Sequence, residues 1–139
     1  MAVFNKFNQL SEDLGKGVHV FGTHQLKIAL TNTLPTAANS VFANLTAPLA
    51  TTNLSGATPF NVTTTSYTQT AGTASLVLVD LTLTATGAVG PFRYVVLYND
   101  TPTSPAKPLV GWYDYGSSVT MASGETFLTD FAATTLTLV

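Results

Sequence analysis

Two runs decide how this chain folds: Gly90-Pro91-Phe92-Arg93-Tyr94-Val95-Val96-Leu97-Tyr98-Asn99-Asp100 and Leu109-Val110-Gly111-Trp112-Tyr113-Asp114-Tyr115. Both are rich in aromatic and β-branched residues, and turn signals stand at Gly90-Pro91 and Asn99-Asp100. A hairpin symmetric about the loop from Asn99 to Pro108 sets Tyr98 opposite Leu109 and Arg93 opposite Asp114. That register puts Arg93–Asp114, Val95–Trp112 and Leu97–Val110 on one face, and Tyr94–Tyr113 and Tyr98–Leu109 on the other. Opposite charges meet at one cross-strand site, and large apolar pairs occupy both faces. A hairpin of this kind belongs in the middle of a sheet, or against a partner on its second face.

The period of two recurs on either side. Leu26, Ile28 and Leu30 alternate with Gln25, Lys27, Ala29 and Thr31, which reads as a half-buried strand. Phe60–Thr70 alternates polar and apolar, and Thr73–Thr86 is strongly β-prone. Ser117–Met121 and the stretch from Thr126 to the C-terminus complete the set, with Gly124 marking a turn. Short strands punctuated by Gly and Pro predict one domain over residues 1–139, an all-β antiparallel sandwich of jelly-roll type.

Two segments break the pattern. Phe4, Phe7, Leu10 and Leu14 recur at helical steps and Gly15 and Gly17 offer a stop, so a helix is predicted over residues 4–15. Glu12 and Asp13 then fall late in that helix, where the macrodipole disfavours them, so it must dock to persist. Residues 33–59 are rich in Thr, Ala, Asn and Pro and weakly periodic; they read as a long connection with one helical turn near Ser40–Leu45. A connection of that length inside a small domain is expected to lie against something.

Only 9 % of the residues are charged, against roughly 25 % in an average soluble domain. Thr, Ser and Asn must therefore cover the surface. A net charge of −2 gives no electrostatic reason to seek nucleic acid or an anionic membrane. The absence of Cys excludes disulfides, thiolate metal sites and a thiol nucleophile. Met1 leads into Phe4-Asn5-Lys6-Phe7 without the apolar core of a signal peptide, so synthesis in a cytoplasm is expected. The apolar run Leu76–Leu83 is broken by Asp80 and is too short for a bilayer span.

Candidate chemistry is sparse. His19 and His24 would need a third donor to hold a metal, and Asp13 alone is near in sequence. Tyr115-Gly116-Ser117-Ser118-Val119 lacks the second Gly of a nucleophile elbow. Gly87-Ala88-Val89-Gly90-Pro91 lacks the Lys-Ser/Thr of a phosphate loop and precedes a strand. Asp80, Asp114, Glu125 and Asp130 are the candidate carboxylates for glycoside hydrolysis, and structural roles suit them better. Tyr94, Tyr98, Trp112, Tyr113 and Tyr115 could together make a sugar-stacking platform. The expectation is a protein with no catalytic residue, metal or cofactor.

The blocks Phe4-Asn5-Lys6-Phe7, Glu12-Asp13-Leu14 and Leu26-Lys27-Ile28-Ala29-Leu30-Thr31-Asn32-Thr33 resemble a family of small tailed-phage structural proteins. So do Gly90–Asp100, Gly111-Trp112-Tyr113-Asp114-Tyr115-Gly116-Ser117-Ser118 and Gly124-Glu125-Thr126-Phe127, and the blocks run in order along nearly the whole chain. The family is that of capsid decoration, or cement, proteins of podovirus-like heads. The resemblance implies a jelly-roll fold, a place on the outer capsid surface of the virion, and the major capsid protein as partner. It carries no catalytic motif. Phe4, Phe7, Leu10 and Leu14, with Trp112 and Tyr113, are the expected subunit or capsid contacts, in a homo-oligomer that is a dimer rather than a trimer. The alternative is a glycan-binding or adhesion module of head, tail or fibre, acting through Trp112 and Tyr113.

Overall fold

A computed structural model describes residues 3–132 and 134–138. In chain order its strands are β1 (Phe4–Lys6), β2 (Leu26–Thr31), β3 (Asn61–Val62), β4 (Thr64–Thr70) and β5 (Thr73–Leu78). Then follow β6 (Leu81–Thr84), β7 (Val89–Asn99), β8 (Leu109–Met121), β9 (Thr126–Thr129) and β10 (Leu136–Leu138). One short helix, α1 (Leu10–Gly15), and a 3-10 turn at Phe42–Asn44 complete the elements. The fold is all-β and its strand pairs are antiparallel.

β7 and β8 lie at the centre of a five-stranded sheet of order β1-β8-β7-β2-β3. A three-stranded sheet, β10-β5-β4, and a two-stranded one, β6-β9, supply the remaining strands. One apolar cluster joins all three sheets. Ile28, Leu30, Val95, Leu97 and Val110 come from the five-stranded sheet, Leu76, Leu78 and Leu136 from the second, Leu83 and Phe127 from the third. The five-stranded sheet is therefore apolar on its inner face because two smaller sheets cover it.

Its outer face is apolar as well. Ala29, Tyr94, Val96, Tyr98, Leu109 and Trp112 form a second buried cluster with Phe7 and Leu45, and Ala37 and Phe42 pack against it. The cover comes from the long connection, residues 33–59, whose Ala37, Phe42 and Leu45 lie on this face, while Leu49 and Leu54 farther along turn to the inner cluster. It is pinned by Phe42 N–H to Lys107 O (2.9 Å), Leu109 N–H to Ser40 O (3.0 Å), Leu49 N–H to Leu30 O (2.8 Å) and Thr31 Oγ1 to Thr46 O (2.7 Å). The second face of the hairpin is thus closed by the chain itself, and the connection lies against its own sheet.

The hairpin register departs from the symmetric one. Tyr98 does face Leu109, but Leu97 faces Gly111, Val96 faces Trp112 and Val95 faces Tyr113. Val110 is an extra residue in β8, a bulge, and past it Trp112 and Tyr113 change face. Trp112 consequently belongs to the outer cluster and Tyr113 to the inner one, the reverse of the symmetric assignment. Arg93 and Asp114 still lie on adjacent strands and bond in two places, Nε–Oδ1 at 2.8 Å and Nη2–Oδ2 at 3.1 Å.

The N-terminal segment also corrects the sequence reading. Phe4–Lys6 is strand, paired Phe4↔Tyr113, Asn5↔Trp112 and Lys6↔Gly111, and the helix begins only at Leu10. Gly111 makes this pairing possible: a Cβ there would lie 2.2 Å from Phe4 Cζ and 2.6 Å from Asn5 O. With the helix shortened, Glu12 and Asp13 sit in its first turn, where the macrodipole favours them.

Candidate functional site

The expected contact residues are mostly consumed by the core. Phe7 and Leu10 are fully buried, Trp112 and Tyr113 are 9 % and 7 % exposed, and Phe4 and Leu14 are half-buried against the inner cluster. Phe4 stacks on Tyr113 at 5.3 Å and Phe7 on Trp112 at 4.7 Å, on opposite faces of one sheet. The four-residue apolar stripe is therefore divided between two cores. A platform made of Trp112 and Tyr113 is not formed, since the two rings point to opposite sides.

The two histidines are assembled into a structural cluster. Asn99, fully buried at the end of β7, reaches His19 Nδ1 (3.1 Å) and His24 Nδ1 (2.9 Å) through the same amide nitrogen. The Val20 N–H also points at His24 Nδ1 (3.2 Å), so that nitrogen is an acceptor. With His19 Nδ1 accepting from the amide, its Nε2 carries the proton and faces Asp13 Oδ2 at 4.0 Å. Burial, with a smaller contribution from His24, pushes the His19 imidazole down to about 4. Among the described residues no three His, Asp or Glu side chains are grouped to hold a metal ion.

The carboxylates are similarly committed. Asp80 breaks the β5–β6 run and accepts from Phe131 N–H at 2.9 Å, where the chain passes between sheets. Glu125 accepts from Ala122 N–H in the turn before β9. Asp114 accepts from Arg93 and from Gly116 N–H (2.8 Å), and these bonds hold its carboxyl below the usual carboxylate range. Lys27 pairs with Asp100 at 3.3 Å, and Glu12 with Lys16. Asp130 alone among the seven acidic side chains has no hydrogen bond or ion pair among the described residues.

Asp130 stands on the rim of a recess of about 150 Å3, lined also by Val95, Tyr113, Tyr115, Phe127, Leu128 and Thr129. Tyr115 is 55 % and Leu128 54 % exposed; Val3, Val20, Leu34 and Val79 are the other large apolar side chains exposed among the described residues, and only these two share a recess. Tyr115 leans on Phe127 with ring centroids 5.2 Å apart. Behind the wall, the Thr129 hydroxyl is buried without a hydrogen-bond partner among the described residues, and burial raises the Tyr113 phenol to about 12. A ligand-sized cleft holds roughly 300 Å3 or more, so this recess accepts one side chain or one ring. Nothing in the sequence singled out Leu128. Its exposure follows from alternation in β9, where Phe127 and Thr129 turn inward and Thr126 and Leu128 outward.

Comparison with known protein families, with curated proteins and with solved structures finds no match to this chain.

Proposed function

We propose that the chain is a virion structural protein, a decoration or cement protein on the outer surface of a tailed-phage head, of jelly-roll type. In this reading it binds the major capsid protein, associates with itself as a dimer rather than a trimer, and resists internal pressure by adding buried area across capsid joints. The observation that carries the reading is the exposed apolar rim of Tyr115 and Leu128 around a shallow recess. Aromatic and aliphatic side chains surrounding a small pocket suit the desolvated centre of a protein contact. The commitment of six of the seven acidic side chains to the chain's own bonds supports a structural role over a catalytic one.

The experiment is co-sedimentation of the pure protein with emptied, expanded heads. Wild type is expected to pellet with heads, and Leu128→Asp to bind at least about tenfold more weakly, since a charge at the contact centre must be desolvated. A wild-type protein that never pellets with heads overturns the proposal. A second reading, glycan binding, draws on the same recess, where Tyr115 and Phe127 offer ring faces and Asp130 an acceptor. Host polysaccharide that shifts the Tyr115 and Phe127 ring resonances, in a protein indifferent to heads, would favour it.

A further inference from the structure

The sheets leave several edges, and one of them differs from the rest. β1, β3 and β10 are only two or three residues long, and β9 only four. β6 is partly covered by Ser55 N–H to Thr84 O (2.9 Å) and by the Leu54–Ala85 bridge. The exposed stretch of β8 is kinked at Gly116, whose φ is +100°, and carries Asp114. β4 is seven residues, Thr64-Thr65-Ser66-Tyr67-Thr68-Gln69-Thr70, and pairs only with β5. It has no charged residue and no Pro, the usual protections of a sheet edge; its one irregularity is the bulge between Thr64 and Ser66.

From this edge we infer that β4 is the self-association surface of the protein, pairing antiparallel with β4 of a second copy about a two-fold axis at Tyr67. The register follows from the hairpin. Ala71 and Gly72, with φ of +51° and +83°, form a two-residue turn, and Thr70 faces Thr73. The residues flanking such a turn exchange both hydrogen bonds, so Thr70 and Thr68 direct their backbone groups at β5 while Gln69 and Tyr67 direct theirs outward. A two-fold at Tyr67 brings Tyr67 opposite Tyr67 of the second copy, which satisfies the outward groups at the axis. Ser66 then faces Thr68 across a non-hydrogen-bonded site, where side chains approach most closely.

The second copy is the occupant because the strand complements itself. Every cross-strand pair in this register is uncharged, hydroxyl- or amide-bearing and free of steric bulk on the outer face. A strand carrying charge would place like charges near one another across a two-fold. Tyr67 packs inward on Phe21 (5.2 Å) and faces Leu76 across β5, so the inner layer would continue from one copy into the next as a six-stranded sheet. Edge pairing alone buries well under the roughly 1,000 Å² of a stable interface, so the dimer is weak, with Kd on the order of 10–100 μM.

This deepens the self-association part of the proposed function and is tested on the protein alone. The chain has no Cys, so introduced thiols are unique. An equimolar mixture of Ser66→Cys and Thr68→Cys proteins is expected to give covalent dimers under mild oxidation, and Thr82→Cys, exposed on β6, is expected to give none above background. Sedimentation equilibrium up to about 1 mM should show a dimer for wild type and a monomer for Ser66→Lys/Thr68→Lys. Mixing that variant with Ser66→Glu/Thr68→Glu should restore dimers. Wild type that stays monomeric, or a dimer that survives the double Lys variant, overturns the inference. So does a double Lys variant whose only defect is loss of head binding, which would give the edge to the capsid. Failure to pellet with heads, with the disulfide intact, overturns the decoration reading and leaves this one standing.

Discussion

Gly111 is where β1 comes closest to β8, and its missing side chain is what admits Phe4. Gly111→Ala is expected to push β1 off the sheet and cost about 1–3 kcal/mol, as overpacking does in a filled core. Urea unfolding reads the loss, and amide exchange at residues 4–6 should accelerate more than elsewhere. A variant as stable as wild type would mean that β1 contributes little. His19 gives the pH response at the same scale. Its folded pKa of about 4 lies below its ordinary 6.5, so between these values the unfolded chain binds the extra proton. Stability is then full above pH 6.5 and falls as pH drops towards 4, by roughly 3 kcal/mol from this residue. The His19 ring resonances should show no titration between pH 8 and 5.5, and the urea midpoint should fall over the next two units or so of acidification. A ring that titrates near 6.5 in the folded protein would sink this account.

At the scale of elements, the first half of the connection 33–59 behaves as a third layer. Phe42 packs on Tyr98 at 4.9 Å and Leu45 is buried in the outer cluster, so the strap shields a face that the strand pattern alone leaves open. Leu45→Ala is expected to cost about 2–3 kcal/mol and the half-exposed Phe42→Ala somewhat less, with increased binding of a hydrophobic dye as the outer face opens. Equal dye binding in wild type and both variants would argue that the strap is dispensable. The Arg93–Asp114 pair illustrates the opposite case. Its side chains are 39 % and 38 % exposed, so a double-mutant cycle should give a coupling below about 1 kcal/mol despite the paired geometry. These elements also mark the limit of a periodicity reading. The strands around Leu26–Thr31, Phe92–Tyr98 and Leu109–Tyr115 were legible from alternation and β-prone residues, but Leu26–Thr31, read as half-buried, is buried on both faces because the sheet is covered on both sides. The bulge at Val110 was not, since an inserted residue leaves composition and turn signals unchanged while exchanging the faces of Trp112 and Tyr113. Phe4–Lys6 was misleading for a related reason. Phe4, Phe7 and Leu10 fit a helical step, yet they reach different cores because Phe4–Lys6 is held as strand by β8.

At the scale of the molecule, so few charges make association depend on shape and apolar contact. Binding to heads should therefore weaken only modestly, by less than about threefold, between 50 mM and 500 mM salt, because screening acts on separated charges and little on buried apolar area. A steep loss of binding with salt would point to a steered, charge-driven contact and away from the Tyr115–Leu128 rim. The amino-acid sequence alone determined much of this character: an all-β chain, a surface poor in charge, no thiol chemistry, and a central hairpin whose Arg93 and Asp114 meet. Those properties are local or additive, so they can be summed along a sequence. What lies over each face of the central sheet was decided only in three dimensions. Whether Trp112 awaits a partner or is covered by Phe7 depends on where residue 7 arrives after the strand at Phe4–Lys6, and that depends on one glycine over a hundred positions away. The same holds for the recess: Tyr115, Phe127 and Asp130 come from strands and a loop that no spacing rule relates, and they meet at one rim where Tyr115 packs on Phe127.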